Sequence, residues 1–86
     1  YFDYKQYAIQ DMIEKLGKAV KRNSEPDEHG YKTEYSEATL VEFRGAIMSF
    51  RESCIYADRI DYLLSGDDGE ETFHKRLEED FDKLYK

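Results

Sequence analysis

The stretch "LLSGDDGEETF", residues 63–73, decides how this chain folds. Residues 66–72 hold four acids and two glycines in seven positions, between apolar runs. Gly66 follows Leu63, Leu64 and Ser65, where the left-handed residue that closes a helix belongs. Asp68 followed by Glu71 has the spacing of an N-cap and its capping-box partner. The stretch therefore reads as a helix stop followed by a helix start. So short a link folds the second helix back antiparallel on the first.

A calcium loop is the rival reading of these acids. An EF-hand needs oxygen ligands at loop positions 1, 3, 5 and 12 and a glycine at 6. Placing Gly66 or Gly69 at position 6 puts Leu63 or Leu64 at a ligand position, which excludes the standard loop. No metal is expected there.

Upstream of the turn, Ser36 is a good N-cap and Glu37 suits a first helical turn. The helix it opens runs over about residues 36–65. Leu40, Phe43, Ile47, Phe50 and Cys54 form its apolar stripe. From Tyr56 the apolar set moves to Tyr56, Ile60, Leu63 and Leu64. Such a helix is central, with different neighbours at each end, or it breaks near residues 52–56. Gly45, Ser49, Ser53 and Ala57 form a small-residue strip that would let another helix approach closely. Arg44 and Arg51 fall inside the apolar arc. They lay their stems on apolar surface, or pair with an acid of another helix, for which Asp80 is the candidate.

Downstream, the third helix covers about residues 69–85, with Phe73, Leu77, Phe81 and Leu84 inward. Glu71–Lys75, Glu79–Lys83 and Asp82–Lys86 are spaced i, i+4 with the acid first, the favourable order on a solvated face. The first helix covers about residues 3–22. Asp3 and Gln6 have capping-box spacing, and Ile9, Ile13, Leu16 and Val20 repeat at helical intervals behind Phe2. "RNSEPDEHG" then begins a loop over residues 23–35, rich in turn formers. "YKTEY", residues 31–35, alternates as a short extended segment would. The expected fold is all-α: one domain over residues 1–86, a small antiparallel bundle of three helices, or four if the central one breaks.

Composition bounds the function. Among 86 residues, 40% are apolar and 15% aromatic, enough for a folded domain with a modest core. One cysteine allows no internal disulfide and agrees with a reducing cytoplasm. No apolar run approaches a membrane span, and no signal-peptide pattern is present. The chain begins at Tyr1 rather than Met, as a trimmed chain or a piece of a longer one would. Net charge is −7. Residues 1–22 carry five bases and three acids, and residues 23–86 carry eight bases and seventeen acids. A field of that sign repels nucleic acid and anionic membrane, and attracts basic surfaces.

Catalytic chemistry finds no support. The chain has no Gly-x-Ser-x-Gly, no glycine-rich phosphate loop, and no cysteine in a nucleophile context. His29, His74 and Cys54 lack a His or Cys at i+3 or i+4, so no spaced metal pair exists. An enzyme is not expected, nor is a cofactor. The informative residues are acids outside the i, i+4 pairs and tyrosines on polar faces. They are Asp67, Asp68 and Glu70 at the turn, Glu25, Asp27 and Glu28 in the other loop, and Tyr4, Tyr7, Tyr31 and Tyr35. Tyrosine offers an apolar body with a polar tip, which suits interfaces. In composition the chain is similar to small acidic helical inhibitors of phage and mobile elements, such as DNA mimics, anti-CRISPR proteins and nuclease immunity proteins. That likeness implies a cytoplasmic inhibitor that occupies the basic nucleic-acid-binding surface of a partner protein, a nuclease among the options. It would touch neither nucleic acid nor membrane directly. The alternative is a structural or regulatory helical subunit that self-associates through apolar surface on the central helix.

Overall fold

The computed structural model describes residues 1–23, 25–26, 30 and 34–86. Asp27, Glu28, His29, Tyr31 and Thr33 lie outside the described residues. The expectations placed on them, the extended stretch included, therefore have no structural counterpart.

The described residues form three helices: α1 (Gln6–Lys21), α2 (Glu37–Leu64) and α3 (Glu70–Leu84). The fold is all-α. α2 is continuous through residues 52–56, so the alternative of a break there is not realised. Its apolar set rotates because its neighbours change. α1 and α3 each pack on α2 and do not pack on each other. Gln6, at the start of α1, meets Asp58 of α2, while Asn23, just past the end of α1, binds the backbone of Tyr35 before α2. α3 meets only the second half of α2: Tyr56 packs edge-on against Phe81, and the Tyr85 hydroxyl donates to Glu52.

Three helices laid side by side make a thin object, 53 × 27 × 15 Å along its principal axes. The core is correspondingly shallow. Among the described residues, Leu40 and Cys54 are the buried apolar ones, and no large side chain is fully buried. The strip of Gly45, Ser49 and Ser53 is exposed, with nothing within 4 Å of a Cβ built on Gly45. The expected close approach of a helix to it does not occur within the chain, because α1 and α3 take other sides of α2.

The turn after α2 closes as the sequence implies. Gly66 has φ +81°, Asp67 N–H donates to Tyr62 C=O at 3.0 Å, and Gly66 N–H to Leu63 C=O at 3.1 Å. These are the two bonds of a Schellman motif. At the start of α2, Ser36 accepts from Thr39 N–H at 3.3 Å.

Two caps differ from expectation. Asp3 and Tyr4 have φ +54° and +62°, so the chain makes a left-handed turn where the first helix was expected to begin. α1 starts at Gln6 without a side-chain cap. The cause is tertiary: the Tyr1 and Phe2 nitrogens both donate to Asp61, and Gln6 turns inward to Asp58 instead of capping. α3 likewise starts at Glu70 with Gly69 as an uncapped N-cap. Asp68 does not cap it, because its carboxylate faces Arg76 at 3.8 Å.

The ion pairs also differ. Glu71–Lys75, Glu79–Lys83 and Asp82–Lys86 do not close, whereas Asp11–Lys15 at 2.9 Å and Glu14–Lys18 at 3.6 Å do. Asp80 faces inward as expected, but its partner is Arg59, at 2.6 Å. Arg44 reaches Glu37 on its own helix, and Arg51 is exposed with Met48 Sδ beside it. α3 brings Asp80 to Arg59, while its far end brings Leu84 and not an acid beside Arg51.

Candidate functional site

The left-handed turn at Asp3 and Tyr4, the start of α1 and the last turns of α2 enclose a cleft of about 540 Å³. Its walls carry Asp3, Asp58, Asp61 and Asp67, with Tyr1, Tyr4, Tyr7 and Tyr62 among them. Arg59 is the cationic side chain in the lining, and it is committed to Asp80.

Each group is placed by a local cause. Phe2 is half-buried and anchors the residues before α1. Its N–H and the Tyr1 ammonium converge on Asp61, and the ammonium also reaches Ser65 Oγ at 3.3 Å. Tyr4 and Tyr7 are exposed and stack with centroids 5.9 Å apart. The Arg59 guanidinium lies 5.6 Å from the centroid of the Tyr62 ring.

Gln6 is the odd member. It is only 6% exposed, its Nε2 donates to Asp58 at 3.2 Å, and its Oε1 has no partner. A carboxylate accepts only, so the amide orientation follows from the chemistry and leaves the oxygen as the orphan. An unsatisfied buried acceptor costs about 1–3 kcal/mol. The cleft thus combines carboxylates and phenols, with the Gln6 Oε1 acceptor buried in its wall without a partner. Such a set can take N–H groups of a cation and flank them with aromatic faces.

The described residues expected from sequence divide four ways. Tyr4, Tyr7 and Asp67 line the cleft. Glu70 is exposed in the first turn of α3, outside the lining. Asp68 is not the exposed acid expected: its side chain is 8% exposed, it faces Arg76, and its Oδ2 is buried without a partner. Its position just after the Schellman turn points it back under α3. Glu25 and Tyr35 are exposed near the far end of α1, where Tyr35 packs edge-on against Phe43. A helix of α1's length separates them from the cleft by roughly 24 Å.

Asp58, Asp61 and Tyr62 were not read from the sequence as site residues, and Asp3 and Gln6 were read only as a helix cap. One signal was there. Asp58 and Asp61 sit in the last two turns of α2, which carry no base in the final turn. Acids there oppose the helix dipole, and a placement that costs stability suggests another use.

Among the described residues, no three His, Cys, Asp or Glu side chains converge as a metal site would need. No helix among the described residues is long and apolar enough to cross a membrane. Comparison with family models, with curated proteins and with solved structures returned no match.

Proposed function

We propose that this chain is a small acidic protein-binding module that takes basic side chains of a partner into the cleft between α1 and α2. The observation that carries this is the cleft itself: four aspartates and four tyrosines around one opening, with the Gln6 Oε1 acceptor unused. Carboxylates between aromatic faces match an arginine or lysine side chain better than any neutral ligand. Net charge −7 adds long-range attraction towards a basic surface. Basic surfaces of that kind serve nucleic-acid binding, so the module acts as an inhibitor by occupying one. It works in the cytoplasm, in the manner of phage and mobile-element inhibitors such as anti-CRISPR or nuclease immunity proteins, and it binds rather than catalyses. The helices serve as an antiparallel bundle that holds the cleft rigid.

The test is competition. Immobilised protein is exposed to nuclease-treated lysate, and duplex DNA is then added. DNA should strip off the retained proteins, and Asp67→Lys with Asp3→Lys should retain little to begin with. Retention indifferent to DNA and to both charge reversals rejects the reading.

A further inference from the structure

We infer that the uncovered side of α2 is a self-association surface, and that its occupant is the α2 helix of a second copy of this chain. The inference does not rest on the reading of the cleft.

Ala46, Phe50, Ser53, Ala57, Ile60 and Leu64 recur at alternating intervals of four and three residues, and Phe43 continues the series upstream. That is the heptad spacing of a helix seam that expects a partner helix. The contacts that fasten the first residues and α1 to α2 fall on Asp58 and Asp61, and those of α3 on Glu52, Tyr56 and Arg59, none of them in this series. Ser53 and Leu64 are exposed, Leu64 at 51%, and the other four are half-buried.

Area says how much is missing. A monomer of this size should expose about 5,400 Å². This chain exposes 6681 Å². The surplus of about 1,300 Å² belongs to the elongated chain as a whole and leaves room for the roughly 800 Å² per partner that a standard interface hides. Its radius of gyration, 16.8 Å, likewise exceeds the roughly 12 Å of a compact chain this long.

Charge says what fits. In a chain with 38% charged residues, the seam carries none. A basic partner would gain nothing there. A second copy, itself at −7, can approach only over a surface without acids. The small residues suit it too. With two α2 helices antiparallel and shifted by two residues from full overlap, Phe50 of each copy falls opposite Ser53 of the other, large against small. Tyr62, two positions from both Ile60 and Leu64, projects from another side of the helix. Pairing therefore leaves the acidic cleft of each copy open.

Light scattering from dilute to concentrated solution tests this. The mass should rise from one chain to two. Ser53→Glu changes an exposed residue, so each chain should keep its helical circular dichroism while association weakens about 30-fold or more, as a charge buried at an interface does. Ser53→Ala should pair as the parent does. If Ser53→Glu loses helicity, Leu64→Lys at the end of the seam is read by the same criterion. A parent chain that stays monomeric at every concentration overturns the inference. So does pairing that is as tight in Ser53→Glu or Leu64→Lys as in the parent.

Discussion

The Arg59 guanidinium donates from Nε to the Asp80 carboxylate at 2.6 Å, with the two side chains 19% and 24% exposed. This bond fastens α3 to α2 along the edge where the helices meet. Arg51, two turns earlier on α2, has no acid and stays exposed. Arg59→Ala should therefore cost about 1–3 kcal/mol, since Asp80 is left half-buried with an uncompensated charge. Arg51→Ala should stay within about 0.5 kcal/mol. Urea unfolding measures both. Equal losses would mean that the Arg59–Asp80 bond does not hold α3.

Gly66 closes α2 at φ +81° with open space around it. A substitution there is opposed by backbone conformation and not by a clash. Gly66→Val should cost roughly 1 kcal/mol or more, and Gly66→Asn less, because Asn tolerates the left-handed region. Thermal melts of the two variants check the order. A Val variant as stable as the parent would place the chain reversal elsewhere.

What could be read from sequence follows how local each feature is. The stripe of Phe73, Leu77, Phe81 and Leu84 and the stop at Gly66 depend on neighbours within a turn, so periodicity and turn chemistry suffice. Asp80 could be recognised as an inward acid for the same reason. Its partner could not, because the choice between Arg51 and Arg59 depends on the angle at which α3 leaves the turn. The cleft was harder still. Its acids come from residues 3, 58, 61 and 67 and meet only when α1 lies on α2. Asp3 and Tyr4 look like the approach to a capped helix, until Asp61 takes the Tyr1 and Phe2 nitrogens and bends the chain the other way.

Cys54 is the chain's one cysteine and is buried on α2. Burial, with the charge of Asp58 assisting, pushes its thiol above the ordinary value of 9.0. A dithiobis-nitrobenzoate reagent should label it slowly at neutral pH, and rapidly once urea unfolds the chain. The folded state holds this proton more tightly than the unfolded state does. The stability that Cys54 contributes is therefore full below about 9 and drains as pH climbs through the folded value. Unfolding midpoints taken between pH 7 and 10 should fall for the parent and fall less for Cys54→Ala. Fast labelling of the folded chain would contradict the packing of α1 on α2.

The cleft makes the sharpest kinetic claim. A nona-arginine peptide is a sufficient probe, since the groups to be recognised are guanidinium forks. Asp67 and Asp3 are exposed and set the field that an approaching cation meets. Asp67→Lys should therefore slow association more than it speeds dissociation. Tyr4 and Tyr7 offer stacked faces only after contact, so Tyr7→Ala should act mainly on dissociation. Rising salt should weaken the complex steeply, because screening shortens the Debye length from about 10 Å at 0.1 M to about 3 Å at 1 M. Glu25→Lys, beyond the far end of α1, is the control for net charge alone. It should change association far less than Asp67→Lys. Stopped-flow tyrosine fluorescence at several salt concentrations separates the two rates. Equal effects of Glu25→Lys and Asp67→Lys would assign the attraction to the whole protein's charge and remove the cleft as its seat. A complex insensitive to salt and to both reversals would leave no electrostatic recognition at all.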